Sequence, residues 1–268
     1  MGPRAHARRD TAAYGPGVLF LLTTAAALWG AGTGLLLPRA AHRLSVHPGR
    51  PWNDRCPGGH AITGAFAGWL GRARCPHTGT APRPCGPYGP GTPAVATLTA
   101  LICAALAAAA GPRPETAVWL LATPAAVLLA LVDRRVHRLP DVLTLPLAAA
   151  LAVLLALASA LPAAAGSWPR SLLGGLALAG GYFLLFLVNP SGMGFGDVKL
   201  ALSLGLALGW YGWQPLLTGA FAGILYGALY GLALVALRRA NRRSAIPLGP
   251  FMMGGAFTGL VLGAATAT

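Results

Sequence analysis

The chain has 268 residues, of which 55% are hydrophobic and only 10% are charged, and its net charge is +14. Soluble domains carry about 25% charged residues, so this composition excludes an ordinary soluble domain. The positive charge does not indicate nucleic-acid binding, because no aromatic side chains alternate with the basic ones. We expect an all-α polytopic membrane protein, surrounded by a lipid bilayer and without a nucleic-acid partner.

Eight apolar segments follow one another along the chain, and most are long enough to cross a hydrocarbon core of ~30 Å. They cover about 17–37, 93–110, 116–132, 142–161, 171–189, 198–213, 215–237 and 246–266. The sixth is short and interrupted by glycines. We therefore predict about eight transmembrane helices in three regions, namely 1–37 (a tail and the first helix), 38–92 (an Arg/Pro/Gly-rich cytoplasmic connector) and 93–268 (a seven-helix core).

The arginines predict how the helices are oriented. The connectors 38–92, 133–141 and 238–245 hold fourteen of them, whereas 111–115 and 162–170 hold two. Because basic loops stay in the cytoplasm, the arginine-rich connectors should be cytoplasmic and both termini outside. Three arginines in the N-terminal tail would lie outside in this orientation, but the fourteen in the cytoplasmic connectors outnumber them. We expect a multi-pass protein of the inner or plasma membrane.

Two of the chain's six acidic residues lie at cytoplasmic helix ends that are distant in sequence. Asp133 follows an apolar run, and Asp197 precedes one within "GMGFGDVKL". Two carboxyls brought together in a partly dry site share a proton, because both cannot ionise easily. One can then take a proton from water while the other polarises a peptide carbonyl. The pair therefore favours an aspartic-protease site that needs no metal and no cofactor.

The glycines beside Asp197 admit two interpretations. Gly194 and Gly196 permit backbone with positive φ and the close approach of a substrate strand. Alternatively, the segment is a flexible loop whose Asp197 caps the following helix. Lys199 either steadies the ionised form of Asp197 or extends to lipid headgroups.

Three motifs around these residues resemble those of the type IV prepilin peptidases, the GxGD-type membrane aspartyl proteases. "GFGDVKL" resembles the family's GxGDxKL, "DRRVHRLPDVLTLPL" resembles the segment around the family's first catalytic aspartate, and "AIPLGPFMMGGA" resembles the start of its last helix. The resemblance assigns catalysis to Asp133 and Asp197. It implies that Asp141 caps the next helix. The remaining expected substrate-binding or supporting residues are Gly194, Gly196, Lys199, Pro140, Asp141, Pro247, Gly249 and Pro250.

The resemblance implies a bundle of about eight helices with its active site at the cytoplasmic face. The implied reaction removes the short basic leader of prepilin or pseudopilin precursors, just before their hydrophobic segment. Which precursor is cleaved is left open, as is the oligomeric state.

The N-terminal connector departs from the family pattern. Full-length members carry two CxxC pairs, linked to N-methylation with S-adenosylmethionine, and here each pair keeps only its first cysteine, Cys56 and Cys75. Two thiolates make half of a zinc site. Cys85, His60 and His77 are the residues that could complete it. We favour a connector that has lost the site, so we expect neither stoichiometric zinc nor a role for S-adenosylmethionine.

Two other functions are compatible with the same aspartates. A transporter or channel would use them as a proton or cation relay, and would show ion flux without cleavage. An inactive scaffold of a pilus or secretion system would insert correctly and tolerate substitution of either aspartate.

Overall fold

The computed structural model describes residues 15–75, 86–190, 192–239 and 246–267. This part of the chain contains eight long helices, one per predicted apolar segment. They are α1 Pro16–Leu44, α2 Thr92–Ala110, α3 Pro114–Val136, α4 Asp141–Ser159, α5 Trp168–Val188, α6 Phe195–Tyr211, α7 Trp213–Ala236 and α8 Gly249–Thr266. A single further turn, Ala65–Gly68, lies in the first connector. No strand forms in these ranges, only two isolated bridges.

Seven of the helices in the described ranges are long and apolar enough to cross a membrane. The eighth, α6, has only 17 residues and corresponds to the segment that the sequence marks as short. The protein is therefore an all-α polytopic membrane protein, as the composition predicts.

Glycines bring pairs of helices into backbone contact. A Cβ at Gly174 of α5 would lie 2.7 Å from both the Gly205 carbonyl oxygen and the Gly209 Cα of α6. Gly30 and Gly34 of α1 meet α2 in the same way. Helix backbones approach closely only where side chains are small. The glycines spaced four residues apart therefore allow these helices to pack in close contact.

The largest buried cluster of the described residues draws side chains from every long helix from α2 to α8. Leu129, Leu155, Leu200 and Trp210 are almost completely buried in it. Side chains packed this closely transmit small displacements, so the cluster fixes the positions of the α3 and α6 ends that carry the aspartates.

Helix α1 continues seven residues beyond the predicted end of its apolar segment. The extension carries Arg39 and Arg43, and the first connector folds around them. Arg39 donates to the carbonyl oxygens of Thr63, at 2.9 Å, and Leu70, at 3.3 Å. Arg43 donates to Ala67 at 2.7 Å. These bonds pair three loop carbonyls with side chains of α1, so the extended end of α1 supports the connector.

Candidate active site

Asp133 lies in the last turn of α3 and is only 4% exposed. Its Oδ2 accepts a hydrogen bond of 3.0 Å from the backbone N–H of Gly249, the first residue of α8. His137 ends α3 in the left-handed conformation, with φ at 50°. Residues 138–140 then connect α3 to the start of α4.

Asp197 lies in the first turn of α6 and is 8% exposed. Its Oδ2 accepts a hydrogen bond of 3.2 Å from the backbone N–H of Gly194, the N-cap residue of α6. The carboxylate thus satisfies one of the backbone donors that a helix start leaves unpaired, and its charge is favoured by the helix dipole. Asp197 therefore does support its helix, as one of the two sequence interpretations proposed.

The structure brings the two aspartates together. They lie close enough to repel each other electrostatically. The start of α6 rests on the connector that follows Asp133, because a Cβ at Gly196 would lie 3.1 Å from Leu139 Cβ. Three helix ends, those of α3, α6 and α8, thus surround two nearly buried carboxyls. Such an arrangement is suited to holding a shared proton and to general acid–base chemistry.

Gly249 is required by this geometry. A Cβ at this position would lie 2.8 Å from Asp133 Oδ2 and 3.1 Å from its Cγ. Pro250 occupies the first turn of α8, where a missing N–H leaves nothing unsatisfied. Pro247 precedes the Leu248 N-cap. These residues shape the helix start that binds Asp133.

Neither of the other two glycines adopts the positive φ that one interpretation of the sequence allowed. Gly194 is extended, with φ at −78° and ψ at 144°, and Gly196 lies within α6 without positive φ. Gly196 is explained instead by its close approach to Leu139. At Gly194 a Cβ would make only ordinary contacts, the nearest at 3.6 Å.

The predicted capping role of Asp141 is also wrong. Pro140 takes the N-cap position of α4, the helix begins at Asp141 itself, and no side-chain cap forms. The Asp141 carboxylate instead accepts a hydrogen bond of 2.7 Å from Lys199 Nζ. Lys199 also lies over the ring of Phe195, at 5.1 Å. This ion pair joins the starts of α4 and α6, so Lys199 pairs with Asp141 and not with the catalytic candidate Asp197.

One residue beside the site was missed by the sequence analysis. Tyr182 of α5 is buried and lies within electrostatic range of Asp197. Its only signal in the sequence is that a tyrosine stands within the apolar run "GGYFLLF", which does not separate it from an interfacial aromatic residue.

A second cluster lies in the first connector. The ligand atoms of Cys56, His60 and Cys75 all lie within 4.8 Å of one another. His60 Nδ1 is 3.6 Å from Cys56 Sγ and 3.7 Å from Cys75 Sγ. Tetrahedral zinc with ordinary bond lengths separates its sulfur and nitrogen ligands by about 3.6 Å, so these residues fit three corners of a zinc site. Cys85 and His77, the other candidates, lie outside the described residues.

Burial raises the pKa of the Tyr88 phenol beside this cluster, and the nearby Cys56 and Cys75 raise it further. The guanidinium of Arg39 opposes the shift. Tyr88 thus lies between the cluster and the arginine that supports the connector on α1, close enough to interact electrostatically with both.

Comparisons with known proteins show which sequences this chain resembles. Residues 119–232 match the family model of the type IV leader peptidase family. A prepilin leader peptidase/N-methyltransferase of Aeromonas hydrophila is 34% identical over 201 residues, which cover 69% of this chain and 60% of the relative. The enzyme of that name from Pseudomonas aeruginosa is 34% identical over 167 residues, or 60% of this chain and 54% of the relative.

The chain thus spans a little over half the length of these curated relatives. No solved structure matches it. The family match includes α4, α5 and α6 completely, and both Asp133 and Asp197 fall inside it. Residues 119–232 of this membrane protein therefore belong to the type IV leader peptidase family, as the two motifs inside this range indicated.

Proposed function

We propose that the protein is a prepilin-type leader peptidase of the aspartic type, with Asp133 and Asp197 as its catalytic pair. The observation that carries the proposal is the convergence of these two nearly buried carboxyls at one end of the bundle. Both residues lie inside the range that matches the family model, which supports the proposal. The substrates are prepilin-like or pseudopilin-like precursors.

In the proposed reaction the pair holds one proton. The ionised carboxylate accepts a proton from a water molecule, whose oxygen attacks the scissile carbonyl carbon. The protonated carboxyl donates a hydrogen bond to the carbonyl oxygen. Transfer of a proton to the departing amine then breaks the C–N bond and regenerates the pair. Because coupled carboxyls titrate as a unit, the two roles belong to the pair. The amides of Gly194 and Gly249 hold the carboxylates in place.

The site is proposed to face the cytoplasm of an inner or plasma membrane. The arginine distribution supports this orientation. The first connector lies at the same end as the aspartates, because Arg138 beside Asp133 donates to the Val46 carbonyl oxygen at 3.5 Å. A substrate with a basic leader would therefore meet the site from the side where its leader is retained.

The experiment is reconstitution of the purified protein in liposomes with a full-length prepilin precursor. We expect leader removal, read as a gel shift and by mass spectrometry of the new N-terminus, without ion flux across the liposome membrane. Ion flux without cleavage would support a transporter or channel. Neither activity would support an inactive scaffold.

A second proposal concerns the connector, because the geometry of Cys56, His60 and Cys75 favours a metal over a connector that has lost its site. We propose that these residues hold one zinc ion, with a fourth ligand from elsewhere. Zinc would cross-link the connector and stabilise its fold; it has no role in peptide hydrolysis. N-methylation with S-adenosylmethionine remains outside the proposal.

A further inference from the structure

An apolar groove of about 640 Å³ lies between α5, α7 and the start of α8. Its walls include Tyr182 and Leu185 of α5, Gly227 and Ala228 of α7, and Met193 and Leu248. No charged residue of the described chain lines it. The groove is therefore suited to an apolar segment, and it offers no charged partner for a basic one.

The groove adjoins both aspartates. Met193 and Leu248 each precede a glycine whose backbone N–H binds one of the two carboxylates. Tyr182, on the opposite wall, faces Asp197 closely enough to interact with it electrostatically. A chain that passes between the carboxylates can therefore continue directly into the groove.

The dimensions and the wall of the groove fit a helix. The part of α7 that lines it runs from Gly223 to Val235, which is about 18 Å of helix at 1.5 Å per residue. Gly223, Gly227 and Gly231 recur there every four residues. Helices α5 and α7 hardly touch each other, although α5 packs extensively on α6 and α7 on α8. Small residues beside such a gap allow the close approach of another helix.

The proposed substrate has a different chemical character on each side of the scissile bond. A basic leader precedes the bond and an apolar segment follows it. In a bilayer the apolar segment must remain away from water as it leaves the site, and backbone within the membrane must stay helical. A groove without charges, beginning at the aspartates, meets both requirements.

We propose that this groove binds the apolar helix that directly follows the scissile bond of the substrate. The proposal rests on the proposed peptidase function and adds to it the subsite that recognises the substrate.

A different groove, of about 440 Å³, lies on the other side of α8 and provides a comparison. It is lined by Arg134 and Ala126 of α3 and extends to Trp119. It adjoins only the Asp133 side of the pair and has a basic residue, Arg134, in its wall. We therefore assign the substrate helix to the groove beside α7.

The test blocks each groove with a large side chain. Ala228→Trp fills the α7 groove at an exposed position; Ala233→Trp is the matched control, on an exposed part of α7 that does not line the groove. Ala126→Phe obstructs the other groove. Cleavage is measured on a full-length precursor in liposomes and on a soluble peptide that ends a few residues after the scissile bond.

We expect Ala228→Trp to slow precursor cleavage by about tenfold or more while peptide cleavage stays within about twofold, tenfold being ~1.4 kcal/mol of binding. Ala233→Trp and Ala126→Phe should leave both rates unchanged. Full precursor cleavage by Ala228→Trp, or a loss caused by Ala126→Phe alone, would overturn the proposal. A wild-type protein that cleaves neither substrate would instead refute the peptidase function itself.

If Ala228→Trp abolishes cleavage of both substrates, a cross-linking experiment decides whether the groove binds the apolar segment of the precursor. A photoreactive phenylalanine at position 228, in an Asp197→Asn background, should cross-link to the apolar segment of the precursor, and the same group at position 233 should not. Equal cross-linking at both positions contradicts the assignment.

Discussion

The backbone N–H of Gly249 donates a hydrogen bond of 3.0 Å to Oδ2 of Asp133, across 116 residues of chain. The bond connects the start of the last helix to the end of the third. The donor of the bond is a main-chain group, so the start of α8 fixes the direction from which the Asp133 carboxylate is held. The position of α8 therefore decides the position of Asp133.

We predict that Gly249→Ala lowers the cleavage rate by one to two orders of magnitude. The added Cβ would lie 2.8 Å from Asp133 Oδ2, so the carboxylate must move, and a displacement of about 1 Å in an active site can cost 10²-fold. The measurement is the rate of leader removal, with thermal unfolding in detergent as a check on the fold.

Gly254→Ala is the matched control on the same helix. Its Cβ would meet only ring atoms of Tyr226, at 3.6 and 3.9 Å, which is ordinary contact. Equal rates for Gly249→Ala and Gly254→Ala would contradict the positioning role of Gly249.

A second prediction concerns the ion pair of Lys199 and Asp141. Exposed pairs contribute about 0.2–1 kcal/mol, so Lys199→Gln and Asp141→Asn should each lower stability slightly, and the double variant should be no less stable than either single one. A double-mutant cycle on thermal unfolding measures this coupling. If Lys199 acts on Asp197 instead, Lys199→Gln will shift the pH profile of cleavage while Asp141→Asn will not.

A third prediction concerns the close packing of α5 on α6. At Gly205 a Cβ would collide with the Gly174 carbonyl oxygen and lie 2.8 Å from Gly175 Cα. We expect Gly205→Ala to lower the free energy of unfolding by about 1–3 kcal/mol, the usual cost of overpacking. Gly180→Ala, where nothing lies within 4 Å, should be neutral. Similar unfolding temperatures for the two variants would argue against this helix contact.

The fourth prediction is that the protein holds about one zinc ion per chain. Elemental analysis of protein purified without added metal measures this ratio. Cys56→Ser and Cys75→Ser should each lose the metal, and His60→Ala should weaken its retention. All three substitutions lie in the first connector, so each should leave cleavage of a soluble peptide largely intact. Metal-free wild-type protein would restore the interpretation of a connector that has lost its site.

The sequence predicted the helices well because apolar length is a local signal. It also singled out Asp133 and Asp197, because acidic residues are so rare in this chain and their motifs are distinctive, and both are nearly buried in the structure; their catalytic role stays a prediction. It could not predict the Lys199–Asp141 pair, which depends on how α4 and α6 meet. Nor could it choose His60 among the possible ligands, because that choice depends on how the connector folds around Arg39 and Arg43. Tyr182 was missed for the same reason, since its contact with Asp197 arises only from helix packing.

The most direct test of the central claim is cleavage of a full-length precursor by wild-type protein, Asp133→Asn and Asp197→Asn, each purified and shown to be folded. Asparagine preserves the size of each side chain but can neither act as the base nor share a proton. The account predicts leader removal by the wild type and none by either variant. Cleavage that survives either substitution would contradict the assignment of that aspartate to the catalytic pair.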